Sequence, residues 1–389
     1  MKIIRALSPR DPSEHHRVAT TLELLFDLVI VIAIAAVTAG LHHGISAGHG
    51  LEALPRFMFL FMAIWWSWIN FTWFASAFDN DDALYRVLVL IIMAGALIFA
   101  GGSERIFETM DFSYGLYGWI IMRIGMIGLW LRAAAGSPEH RTTALRYAAG
   151  IAVAQLCWTV LYYSTVPAST AFFLGGIACY LVELAVPPIA EKANVTPFHR
   201  HHLIERYGLL MIISLGELML SISHGFGVMF TDHPTFDTAL TSVSALVVVF
   251  ALWWIYFCEE DHMANSEFMT AFQWGYGHVF IFGATALVGA AIAAEVDVSS
   301  HHAETTLQDV GHYLGYGLAI IYGVLWAVRD RLLQVAGNKA YALLVMAGLF
   351  AIGGYAGLST WAFAILSVVT VLWRAPATGR ATPIARHLH

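Results

Sequence analysis

The chain has 389 residues, of which 59% are hydrophobic and 12% charged, with a mean hydropathy of +0.68 and a formal net charge of −7. That apolar excess excludes an ordinary water-soluble domain and places the chain in a bilayer. An acidic balance with no basic stripe interleaved with aromatics leaves nucleic acid without an electrostatic footprint.

In chain order, about twenty polar residues precede the first apolar block. That block carries Glu23 and Asp27, so it is read as a retained helix rather than a cleaved leader. Further blocks start near Arg56, Leu84, Phe112, Ala144, Thr170, Glu205, Leu240, Gln273, Val310, Ala340 and Gly357, which makes about twelve. Their lengths suit the roughly 20 residues a helix needs to cross hydrocarbon, and they lack the alternation of a barrel strand. The fold class expected is therefore all-α, a polytopic helix bundle. Lys and Arg concentrate in the N-terminal tail, the even-numbered loops and the C-terminal tail, whereas Arg56 and Arg105 alone fall in the odd-numbered loops. This bias predicts cytoplasmic termini, hence an even helix number. The opposite loops carry His42, His43, His49, His233, His301 and His302, which are read as solvated loop residues. Cys157, Cys179 and Cys258 form no metal or disulfide pattern, and no cofactor is indicated.

Self-similarity suggests a duplication. A glutamate opens the first helix at Glu23 and the seventh at Glu205; a Trp pair followed by acids starts at Trp65 and again at Trp253; "YGLYG" from Tyr114 parallels "YLGYG" from Tyr313. The offset grows from 182 (Glu23 to Glu205) to 199 (Tyr114 to Tyr313). Two parallel six-helix repeats would then span 22–188 and 205–374. Residues 1–21 form a cytoplasmic tail, 189–204 a cytoplasmic linker and 375–389 a second tail.

Polar groups inside the blocks are the site candidates, since a charge at mid-membrane costs roughly 3 kcal/mol and needs a partner or a proton. Glu23 and Asp27 share a helix face. Ser214, Glu217, Ser221 and His224, spaced 3, 4, 3, form one stripe, and Glu217 lies about 18 Å beyond Glu205. If the first and seventh helices face each other, the two stripes join into one proton or substrate path. Desolvation favours the neutral form of a carboxyl, so proton exchange is the chemistry expected there. Arg123 requires an internal carboxylate or an anionic substrate; together with Trp66 and Asn70 it is a candidate substrate contact. Glu183 and His278 are weaker candidates. Asp79, Asp82, Arg86, Glu205 and Arg206 are candidates for a cytoplasmic gate. The acids at 79, 81 and 82, mirrored by Glu259, Glu260 and Asp261, are read as a solvated cluster paired with Arg86, and no specific metal is indicated.

The segments "LELLFDLVIVIAIA", "WWSWINFTWFASAFDNDD" and "HHLIERYGLLMIISLGE", in that order, resemble the bacterial low temperature requirement A (LtrA) family of integral membrane proteins. The resemblance covers about residues 17 to 370. It singles out Glu23, Phe26, Asp27, Trp66, Asn70, Trp73, Asp79, Asp82, Glu205, Arg206, Gly208, Gly216 and Glu217, and implies a multi-helix inner-membrane protein. The family name describes a growth phenotype and brings no biochemical activity with it. With no phosphate-binding loop, HExxH or selectivity-filter sequence, the leading expectation is a secondary transporter or flippase for a small or amphipathic substrate, with protons as the candidate coupling ion. An intramembrane enzyme acting on a lipid or isoprenoid and a non-catalytic accessory membrane protein are the alternatives.

Overall fold

The computed structural model describes residues 5–11, 18–167, 169–231, 236–259, 263, 267–335 and 337–374, without the side chains of 224 and 228–231. Lys2, Arg17, His233, Glu260, Asp261, the tail from 375 and the side chain of His224 therefore lie outside the described residues. All regular elements described are helical: α1 Thr21–Ser46, α2 Gly50–Ala77, α3 Ala83–Gly101, the short α4 Ser103–Thr109, α5 Ser113–Gly136, α6 Arg141–Ser164, α7 Thr170–Glu191, α8 Arg200–Thr231, α9 Phe236–Phe257, α10 Phe268–Ser299, α11 Leu307–Leu325, α12 Ala342–Tyr355 and α13 Thr360–Arg374. With α4 counted as the end of α3, twelve apolar helices result. Eleven are long and apolar enough to cross a membrane, α12 being counted with the turn before it as Gly337–Tyr355, and α13 is shorter, at 15 residues.

Local chemistry sets the helix starts. Thr20 caps α1 through a capping box, its hydroxyl accepting the Glu23 N–H while Glu23 Oε2 accepts the Thr20 N–H at 2.7 Å. Asp82 caps α3 and Ser169 caps α7 with one bond each, accepting the Tyr85 and Phe172 N–H. Where helices approach most closely, glycine is required. A Cβ on Gly95 of α3 would sit 2.6 Å from the Gly118 carbonyl oxygen of α5, and one on Gly315 of α11 would sit 2.4 Å from Gly354 Cα of α12.

Loop contacts fix the sidedness. On the face carrying the first described residues, Arg10 pairs with Asp79, the Thr143 hydroxyl donates to the Asn194 carbonyl, and Arg374 at the end of α13 pairs with Glu259 after α9. On the opposite face the Glu304 N–H donates to the Ser46 carbonyl, and His42 meets Asp297. Despite its length, α13 thus runs from one face to the other. Within the bundle α1 packs on α2, α3, α8 and α10, and α10, the most buried of the spans, packs on α1, α8, α9 and α11. Apolar side chains that face outward, such as Leu156, Leu181, Phe280 and Leu372, cover the bundle's periphery, as a lipid-facing surface requires. The second Trp pair differs from the first: Trp65, Trp66 and Trp68 are buried, whereas Trp253 and Trp254 face outward and line no cavity among those described.

Candidate functional site

Helices α1 and α8 do pack together, but their polar residues form two separate sites. Towards the N-terminal face, Arg206 donates from Nη2 to Asp27 Oδ1 at 2.6 Å and from Nε to Oδ2 at 3.0 Å, a bidentate pair. The indole N–H of Trp68 adds a third bond to Asp27 Oδ1 at 2.7 Å. One turn earlier, Glu23 Oε1 lies 3.1 Å from Arg206 Nη1 and 2.9 Å from His202 Nε2. Every member of the cluster is buried. The i, i+4 spacing of Glu23 and Asp27 on α1 faces the i, i+4 spacing of His202 and Arg206 on α8, so two complementary pairs close on each other. Arg206, expected in a gate apart from the acids, is their counter-ion.

Next along the bundle comes an aromatic layer. Tyr207 packs on Trp68, His278 and Phe282 with ring centroids 4.7, 5.0 and 6.1 Å apart, and Ile30 and Leu210 are buried at the same level. His278 Nδ1 bonds the Trp274 carbonyl at 2.7 Å. None of Glu23, Asp27, His202 and Arg206 lines the Glu217 cavity, and no cavity among those described joins the two stripes.

Beyond the layer a cavity of about 110 Å³ lies between α1, α8 and α10, floored by Phe282 and lined by Thr38, Ser214, Glu217 and Ser221. It continues into a wider opening of about 520 Å³ on the opposite face, which shares His42, Glu217 and Ser221. Among the described residues Glu217 makes no hydrogen bond or ion pair. At the rim His42 Nε2 and Ser46 Oγ both bond Asp297 Oδ2 at 2.7 Å, joining α1 to α10.

A second buried pair lies in the first six helices. Arg123 Nη2 donates to Glu183 Oε1 at 3.0 Å, and Trp66 Nε1 donates to Oε2 at 2.9 Å. Arg123 also stacks over Trp119, 4.8 Å from the ring centroid. Of the three expected substrate contacts, Trp66 and Asn70 line a small aromatic pocket with Trp73 and Tyr276, near the N-terminal face. Arg123 does not line it and spends its charge on Glu183. Asn70 itself donates to the Trp66 carbonyl at 2.6 Å.

The remaining gate candidates lie at the N-terminal face. Asp82 accepts from Arg132 Nη2 at 2.6 Å, from the Arg5 N–H at 2.7 Å and from the Tyr85 N–H at 2.8 Å. Burial alone would raise its pKa, but these bonds outweigh it and hold the carboxyl below the ordinary value. Arg86 pairs with exposed Asp81, and Glu205 accepts the Ala19 N–H at 3.2 Å. The described residues hold no group of three or more metal-ligating side chains suited to an ion. Sequence reasoning passed over His202 and Trp68 as carboxylate partners, and Asp297 altogether. The clue to His202 was its place one turn before Arg206; the clue to Trp68 was a depth too great for interface anchoring.

An uncharacterized protein of Rhizobium meliloti (strain 1021) is 25% identical over 325 residues, covering 79% of this chain and 76% of its own. No solved structure matches. Residues 18–375, which contain α1 to α13 and the two buried ion-pair sites described above, match the family described as bacterial low temperature requirement A protein, and the chain belongs to this family of membrane proteins.

Proposed function

We propose that the protein is a secondary transporter or flippase for a small or amphipathic substrate in the bacterial inner membrane, with its Lys- and Arg-rich face in the cytoplasm. The observation that carries this reading is the one-sided construction of the α1–α8–α10 contact. A cavity holding the unpartnered Glu217 opens to one face, while an aromatic layer and the Glu23–Asp27–His202–Arg206 cluster seal the other. Such an asymmetry is what one end state of alternating access requires.

The two-repeat organisation supports it. In each set of six, the first helix packs on the second and third, and the third, fourth, fifth and sixth pack in succession, whether counted from α1 or from α8. The first helices of the two sets meet at the cavity. Opening the sealed side means separating Arg206 from Asp27, which puts that pair in the role of an inner gate. Protons are the candidate coupling ion, and Glu217 the carboxyl that carries them.

The test is untargeted metabolite and lipid analysis of cells with the gene deleted, restored as wild type, or restored as Glu217→Gln at matched expression, with medium, cytosol and membrane separated. Known molecules shifted between compartments in both the deletion and the variant are expected. A compound gained or lost from the whole culture would overturn transport in favour of an intramembrane enzyme. No change at all would leave an accessory role.

A further inference from the structure

We propose that the Glu217 cavity is a binding site for a small primary amine in its ammonium form. The inference deepens the transport reading by naming its substrate class, and rests on that reading only for the step of movement.

Four features of the cavity converge. Its carboxylate is unmatched: Glu217 has no hydrogen-bond or ion-pair partner among the described residues, and no described Lys or Arg lines the cavity or its opening. The other titratable groups nearby, His42 and Asp297, already bond each other at the rim. His224 is one turn beyond Ser221 on the same helix, with its side chain outside the described residues. A cavity with one free negative charge selects a cation, because an anion or a neutral molecule would leave the carboxylate desolvated and unpaired.

The hydroxyls extend the same preference. Thr38 Oγ1 donates to the Ile34 carbonyl at 2.8 Å, so what it can offer a ligand is an acceptor lone pair. Ser214 and Ser221 flank Glu217 by three and four residues on the same helix face, and their hydroxyls are free to rotate into accepting positions. A primary ammonium carries three donors and no acceptor, which fits a carboxylate ringed by hydroxyl oxygens. The lining also includes Val31, Ile34, Leu218 and Phe282, apolar side chains suited to a short alkyl body. An alkylamine with a pKa near that of lysine, about 10.4, is charged at neutral pH. The volume admits only a few non-hydrogen atoms beyond the head group.

The experiment is thermal unfolding of the full-length protein in detergent with propylammonium chloride, set against 1-butanol, sodium butanoate and sodium chloride at matched ionic strength. Wild type is compared with Glu217→Gln and with Ser221→Leu, which fills the cavity and leaves the carboxylate in place. Propylammonium is expected to raise the unfolding temperature of wild type in a saturable way, and to need at least about tenfold higher concentration, or to fail, in both variants. An equal rise with butanol, or an undiminished rise in both variants, overturns the proposal. An equal rise with sodium alone reassigns the site to an inorganic cation and equally overturns it. The two readings fail separately. Ammonium binding without any molecule shifting between compartments in the deletion strain keeps the site and removes transport. A Glu217-dependent shift of an anion keeps transport and removes the amine.

Discussion

At one end of the α1–α8 contact, Glu23 and Asp27 pair with His202 and Arg206, with Trp68 adding a further bond to Asp27; farther along the same two helices, Glu217 faces a cavity with no partner among the described residues. Glu183 belongs with the first kind, bound by Arg123 and Trp66. The chemical group is the same in each case, and its surroundings decide its use. A carboxylate supplied with a buried arginine and an indole N–H is held in one geometry. A carboxylate left facing a cavity keeps its binding capacity for something that arrives.

The largest expected effect comes from removing the shared cation. Arg206→Met leaves two buried carboxylates facing each other and is expected to cost at least about 3–5 kcal/mol, read as loss of folded yield and of unfolding temperature in detergent. Arg206→Lys keeps the charge but not the bidentate fork, and should fall between that variant and wild type. Arg123→Met should cost about 3 kcal/mol by stranding Glu183, and the double variant Arg123→Met/Glu183→Leu should recover much of it, because a buried pair replaced by apolar groups is often neutral. A double variant no more stable than the single one would break the comparison.

Asp82→Asn should cost about 1 kcal/mol through the α3 cap and the Arg132 bond. Because the folded carboxyl titrates below its ordinary value of 3.8, its contribution is complete above that pH and is lost as the pH falls through the lower folded value. Unfolding temperature followed from pH 6 to pH 3 should therefore drop more steeply in wild type than in Asp82→Asn. The smallest effect on stability belongs to Glu217→Gln, within about 0.5 kcal/mol, since no described contact is broken. A large loss there would assign Glu217 a structural bond and remove the contrast with Asp27.

How much of this the sequence disclosed follows from what each signal measures. Hydropathy reports the cost of exposing backbone and side chains to lipid, so the twelve helices and their order were legible; the start of α2 was placed at Arg56 and not Gly50 because Glu52, Pro55 and Arg56 interrupt the apolar run. Helical periodicity put Glu23 with Asp27 and Ser214 with Glu217 and Ser221, as found. Periodicity does not say what faces a residue across an interface. Arg206 was therefore assigned to a gate rather than to Asp27, and Arg123 was left between a substrate and a carboxylate until Glu183, sixty positions away, met it at 3.0 Å. A tryptophan facing outward and one buried in the bundle look alike in one dimension, so the pair at 253 matches the pair at 65 in sequence and not in burial.

The central claim is that the Glu217 cavity opens to the outer side while the layer beneath it is closed. The most direct measurement is labelling of single cysteines with a membrane-impermeant maleimide in intact cells, after Cys157, Cys179 and Cys258 are replaced by serine. Ser221→Cys, in the cavity wall, is predicted to react from outside, and Leu210→Cys, in the sealed layer, to remain unlabelled until the cells are solubilised. Labelling of Leu210→Cys in intact cells, or protection of Ser221→Cys there with reaction only from the cytoplasmic side of inverted vesicles, would contradict the account.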